Sequence, residues 1–181
     1  SFLRHGTNIG KVVLCSNHLQ ILHLVESQGA HIVTGGLGGL GLKTARVLAD
    51  MGAAHIVLLS RSGQVPYTGQ GLEDELLALQ QLKNTRIHIL KCDVSQELQV
   101  VETLNHVRTH IGPIHGVIHS AGVVRDGMMR SGAVLQGCDQ VWSSKAHSAW
   151  ILHQHTLTDP IQLFVAYSSV TAAVGNIGQA A

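Results

Sequence analysis

The sequence predicts a three-layer α/β/α domain built on a doubly wound parallel sheet that runs through about five strands. Three observations predict it. Short β-branched runs alternate with longer amphipathic stretches. A dense glycine cluster sits where the first run gives way to the first amphipathic stretch. The 181 residues are 45% apolar and only 13% charged, enough to bury a sizeable core. Strands joined by helices pair in parallel under cover on both faces, and right-handed crossovers favour the strand order 3-2-1-4-5.

The elements follow in order. HIVT (31–34) is the first strand. LKTARVLADMGA (42–53) has helical spacing through Leu42, Ala45, Val47, Leu48 and Met51, with Gly52 as its stop. HIVLLS (55–60) is the second strand and RSGQVPYTGQG (61–71) a loop by composition. LEDELLALQQL (72–82) is a helix with acids in its first turn, where the dipole favours them. RIHILK (86–91) is the third strand, and Ser95 is the expected N-cap of the helix that ends at Gly112-Pro113. IHGVIHS (114–120) is the fourth strand. A helix from Gln136 to about His155 follows, with Val141, Trp142, Trp150, Ile151 and Leu152 as its apolar positions, and IQLFVAYS (161–168) is the fifth strand. The first residues do not fit this register, so residues 1–17 read as the tail of another domain or a linker, residues 18–29 as a linker, and residues 30–181 as the domain itself.

The strongest local signal is Thr34-Gly35-Gly36-Leu37-Gly38-Gly39-Leu40-Gly41, which follows a strand and opens a helix. Glycines let the backbone turn tightly and approach a pyrophosphate, and the amides at the helix start stabilise its charge. The alternative is a tight turn with a purely structural role. With this turn the sheet is of the Rossmann type, and its crevice lies at the carboxyl ends of strands one and four. At the end of strand two, where an NAD site carries an acid, the chain has Ser60-Arg61-Ser62. A guanidinium with two hydroxyls suits the 2′-phosphate of NADPH; the alternative is a solvated arginine. Asp93 and Val94 follow strand three, where Asp93 is placed to accept from the adenine amino group or to cap the next helix. Ser120, Ala121 and Gly122 follow strand four, where small residues let a ribose lie against the backbone.

Read in order, TGGLGGLG, LLSRSG, CDVS, VIHSAGVVRDG, SSKAHSAW and FVAYSSVTAAVGNIGQAA resemble the ketoreductase domain of type I polyketide and fatty acid synthases, a branch of the short-chain dehydrogenase/reductase superfamily. The resemblance covers about residues 28–181, and FLRHGTNIGKVVL is similar to the end of an enoylreductase domain. It implies that Ser169 matches the catalytic serine and Lys145 the lysine that supports a catalytic tyrosine. That tyrosine is expected directly after Ala181, so the chain reads as the first part of a ketoreductase within a larger polypeptide, inactive alone. The implied reaction is NADPH-dependent reduction of a 3-ketoacyl thioester, carried by an acyl carrier protein domain, to the 3-hydroxyacyl thioester. The implied partners are that carrier and the other synthase domains. Asp126 matches the third residue of the Leu-Asp-Asp pattern of B-type domains, and Val174 stands where A-type domains carry tryptophan, which leans toward the D-configured alcohol. The alternative is that Arg125 and Asp126 are solvated loop charges.

Other functions find less in the sequence. A formal net charge of +1, from 12 Lys+Arg and 11 Asp+Glu, offers no footprint for nucleic acid or an anionic membrane. No run reaches the roughly 18–20 apolar residues of a membrane span, and no signal core opens the chain. Cys15, Cys92 and Cys138 read as free thiols in a reducing, cytoplasmic setting. Thirteen histidines invite a metal site, but no HExxH or carboxylate cluster joins them, and most read as surface or capping residues. Trp142 and Trp150 read as helix-packing residues. Two rival functions remain: a short-chain reductase of a free small-molecule ketone, and a non-catalytic NADP-binding or structural subdomain of a synthase.

Overall fold

The structure, a computed structural model, describes residues 28–66, 69–125 and 133–175, the side chains of 133–136 excepted. Residues 1–17, nearly all of the 18–29 segment, Cys15 and Asp126 lie outside the described residues.

The observed order is β1 (Ala30–Thr34), α1 (Gly39–Asp50), β2 (His55–Ser60), α2 (Leu72–Gln80), β3 (Arg86–Lys91), α3 (Glu97–His110), β4 (Ile114–His119), α4 (Ala133–Trp142), a π-turn (Ser143–His147), α5 (Ser148–His155), β5 (Leu163–Ala166) and α6 (Thr171–Val174). The five strands form one parallel sheet in the order β3-β2-β1-β4-β5, as the alternating pattern predicts.

Every residue of β1 and β4 is buried, because helices cover both faces of the central strands. Alternate residues feed two cores. Ile32, Val57 and Val117 pack with Val100, Leu104 and Val107 of α3 and with Ile151 and Leu152 of α5. On the opposite face Val33, Leu58 and Ile118 pack with Leu42, Ala45 and Leu48 of α1 and with Leu79 of α2. Each fully buried aliphatic side chain contributes roughly 1.5–3 kcal/mol over its exposed state. The Arg108 guanidinium fastens α3 to the turn after α5: its Nε donates to Asp159 Oδ1 at 3.0 Å and its Nη2 to Oδ2 at 2.7 Å.

Several local expectations are corrected. Ser95 does not cap α3. The N-cap is Gln96, without a side-chain bond, and Ser95 instead donates its amide and hydroxyl to Asp93 Oδ1. The helix expected from Gln136 begins at Ala133 and is broken by the π-turn, which leaves no trace in apolar periodicity. Trp142 and Trp150 are not in the core; they are 68% and 60% exposed, Trp150 meets only the His153 ring among the described aromatic contacts, and Val141, Ile151 and Leu152 are the buried positions. Val47 is likewise exposed, on the solvent side of α1. The surface reading of the histidines fails for His31, His115 and His119, which are buried in the central strands. Cys92 is buried, and burial pushes its thiol pKa up, away from a nucleophile's thiolate. Among the described residues no helix is long and apolar enough to cross a membrane, and no three His, Cys, Asp or Glu side chains gather as a metal site requires.

Candidate active site

The carboxyl ends of β1 to β4 open into one cleft of about 940 Å³. The sheet order places it there: β1 and β4 are neighbours whose crossovers run to opposite faces, so their ends separate. Gly35, Leu37 and Gly38 line it from the turn after β1, Ser60, Arg61 and Ser62 from the end of β2, Asp93 and Val94 from the end of β3, and Ser120, Ala121 and Gly122 from the end of β4. Ser143 and Ser144 of the π-turn, with Arg125 and Gln140, line the far side.

The glycine turn is shaped by contact with β4. Gly35 has φ +63°, and a Cβ there would lie 3.0 Å from the amide nitrogen and Cα of Ala121. Only glycine meets both demands without strain. Gly36 and Gly41 pack inward beneath the turn, while Gly39 and Leu40 are exposed at the start of α1. The Leu42 amide, donating to the Gly38 carbonyl at 2.9 Å, is bonded into the helix. The amides ahead of it lack intrahelical acceptors, the arrangement that favours an anion.

Thr34 lies under the cleft rather than in it. Its hydroxyl oxygen accepts from the Ala121 amide at 3.1 Å and lies 2.7 Å from His119 Nδ1; its carbonyl accepts from the Ser120 hydroxyl at 2.6 Å. The Ser120 proton is therefore spent inside the protein. At the end of β2, Ser60 Oγ accepts from the Gly63 amide at 2.9 Å, and no described residue takes its own proton. Ser62 Oγ donates to the Gln64 carbonyl at 3.0 Å. The exposed Arg61 guanidinium makes no ion pair with a described residue. Asp93 Oδ1 is engaged by Ser95, and Oδ2 takes no bond from a described residue.

Lys145 and Ser169 do not line the cleft. Lys145 is exposed on the π-turn, with its stem against Gly122, where a Cβ would lie 2.9 Å from Lys145 Cε. Ser169 is exposed in the turn between β5 and α6, and its Oγ accepts from the amide and hydroxyl of Thr171 at 3.2 and 2.9 Å. Arg125 is exposed; its stem covers Gly137, its Nε donates to Gln140 Oε1 at 2.9 Å and its side chain lines the cleft.

Sequence reasoning missed His119. Its ring is 4% exposed, and burial pushes its pKa below the ordinary value. Nε2 lies 3.0 Å from the Lys145 carbonyl and 3.1 Å from Ser148 Oγ. The available signal was a polar residue inside an otherwise apolar strand, which burial obliges to find partners.

The KR domain family matches residues 29–181. The chain is 30% identical over 188 residues to the highly reducing polyketide synthase dmxL2 of Cryptosporiopsis, covering 98% of this chain and 8% of that protein. It is 33% identical over 180 residues to the spectinabilin polyketide synthase system protein NorB of Streptomyces orinoci, covering 99% and 8%. It thus spans less than a tenth of the curated relatives it matches. Among solved structures, A-type ketoreductases from a modular polyketide synthase superpose with a TM-score of 0.73 at 35% identity, over 83% of this chain and 31% of theirs. The strand order, the glycine turn closed on β4 and these likenesses agree, and the chain belongs to the KR domain family, the polyketide synthase ketoreductases of the short-chain dehydrogenase/reductase fold.

Proposed function

We propose that this chain is the nucleotide-binding part of an NADPH-dependent ketoreductase that reduces a 3-ketoacyl thioester, held by an acyl carrier protein domain, within a multidomain synthase. The observation that carries the proposal is the shared cleft: an open glycine turn, an arginine with no ionic partner among the described residues and the small residues after β4 line one space. In the same reading residues 1–17 are the tail of a preceding domain or a linker, and residues 18–29 are a linker.

A dinucleotide fits the residues present. The amides of the 35–41 turn suit the pyrophosphate, and the main chain at Ala121 and Gly122 lets a ribose approach. Arg61, with the Ser60 hydroxyl, suits a 2′-phosphate. Asp93 Oδ2 suits the adenine amino group. The bound nicotinamide supplies the hydride.

The remaining chemistry falls to side chains. Among the described residues both contacts to Ser169 Oγ come from donors and none takes its own proton, which can then bond the ketone oxygen as negative charge builds there. The Lys145 ammonium would lower the pKa of the tyrosine that the family resemblance assigns as proton donor, from an ordinary value near 10.

The test is made on the full polypeptide containing this chain. NADPH consumption with a soluble 3-ketoacyl thioester and formation of the 3-hydroxy product are expected. Tight NADPH binding without any turnover would leave only the structural reading, and efficient reduction of free ketones in preference to thioesters would favour a small-molecule reductase.

A further inference from the structure

Lys145 lies inside the π-turn Ser143–His147, and that turn is tied to the sheet by a buried ring. We propose that His119 is a positioning residue: it fixes the backbone of the π-turn against the end of β1, and so sets where the Lys145 ammonium stands relative to the cleft. The proposal rests on the reading of Lys145 given above.

The hydrogen-bond directions follow from chemistry. A carbonyl only accepts, so the ring nitrogen 3.0 Å from the Lys145 oxygen, Nε2, carries the proton. In the neutral ring Nδ1 is then an acceptor, and the Thr34 hydroxyl donates to it at 2.7 Å. Ser148 Oγ gives its own proton to the Ser144 carbonyl at 2.7 Å, so it too meets Nε2 as an acceptor. Thr34 Oγ1 meanwhile receives the Ala121 amide. One ring at the end of β4 therefore joins the residue that opens the glycine turn to the residue that carries the ammonium.

A π-turn is a poorer helical geometry than the α-helix on either side, and it persists where its surroundings hold it. Here the backbone at Lys145 is held by His119, and the side-chain stem is held in the space above Gly122. A reactive group must stand within roughly half an ångström of its working position. Releasing the backbone anchor would leave the lysine in place chemically and misplaced geometrically.

The test uses the full polypeptide and a double-mutant cycle with Lys145→Ala. In His119→Asn the amide can still accept from Thr34, but its shorter side chain does not reach the Lys145 carbonyl. His119→Gln restores a donor near the position of Nε2. His119→Asn should lower kcat for ketone reduction roughly 10- to 100-fold, with the KM for NADPH and the melting temperature close to wild type. His119→Gln should recover most of the loss, and in the Lys145→Ala background His119→Asn should change kcat no further.

Unchanged kcat in His119→Asn, or an equal loss in both backgrounds, overturns the proposal. If Lys145→Ala alone is fully active, the assignment of Lys145 fails first and takes the proposal with it, which separates the two failures. Should His119→Asn not fold, Ser148→Ala carries the same cycle, because its hydroxyl contacts both Nε2 and the Lys145 carbonyl. A kcat loss confined to the Lys145 background supports the proposal; no loss, or an equal loss in both, overturns it.

Discussion

Gly41 lies directly beneath Gly35, so closely that a Cβ on Gly41 would stand 2.4 Å from the Gly35 carbonyl oxygen and 2.6 Å from Gly36 Cα. These are backbone atoms and cannot swing aside. Gly41→Ala should therefore open the turn, lowering stability by about 1–3 kcal/mol and weakening NADPH binding. Gly39 is two residues away, and a Cβ there would meet only Leu72 Cδ2, at 3.9 Å. Gly39→Ala should leave the melting temperature unchanged. Thermal melts of the two variants check the contrast, and equal melting temperatures would contradict it.

Cofactor choice is expected to turn on Arg61. Arg61→Asp replaces a cation that lines the cleft, and has no ion-pair partner among the described residues, with a charge that repels phosphate and can accept from a ribose hydroxyl. The ratio of kcat/KM for NADPH over NADH should fall by roughly 10- to 100-fold, the worth of about 1.5–3 kcal/mol for bonds to a charged group. A ratio that does not move would remove Arg61 from the cofactor site.

Asp159→Ala should cost about 2–3 kcal/mol in urea unfolding. Asp159 is nearly buried and receives two bonds from Arg108, whose pKa it holds above the ordinary range. Among the described residues the substitution leaves the guanidinium bonded to Asn105 and to the His155 carbonyl alone. A loss below about half a kcal/mol would mean that water replaces the carboxylate without penalty.

Acid should destabilise the domain earlier than carboxylate protonation alone would. Burial, with His115 beside it, pushes His31 below its ordinary value of 6.5, and burial does the same to His119. The unfolded chain therefore binds these protons at a higher pH than the folded one does. Stability is fully present above about pH 6.5 and falls as the pH drops toward the depressed folded values. The urea midpoint should decline between pH 7.5 and 5.5, and His31→Leu should flatten the decline. An unchanged slope in that variant would exclude His31 as a source.

The architecture was legible because its signals are repetitive. Runs such as HIVLLS and RIHILK between amphipathic stretches prescribe parallel strands, and TGGLGGLG locates the turn at which the cleft opens. The assembly of Gly35, Arg61, Asp93 and Ala121 around one space follows from that order, since each stands just past a strand's carboxyl end. What could not be read depends on single contacts. His119 differs from a surface histidine only in what surrounds it. The π-turn adds no apolar residue to betray its phase, and Trp142 and Trp150 have the right polarity for packing but the wrong side of the helix. Ser95 lost its capping role to a local competitor, because Asp93 is two residues away and accepts both of its protons.

The pairing of β1 with β4 has a consequence for how the molecule comes into being. Thr34 and His119 are separated by 85 positions along the chain, yet each completes the other's bonding. A nascent polypeptide can form β1, α1 and β2 early, but the surface against which Gly35 closes does not exist until Ala121 has been made. Parallel contacts this distant in sequence form slowly. The glycine-rich strand-to-helix turn thus leaves the ribosome well before the surface that closes it, and it meets that surface only when the fourth strand pairs with the first.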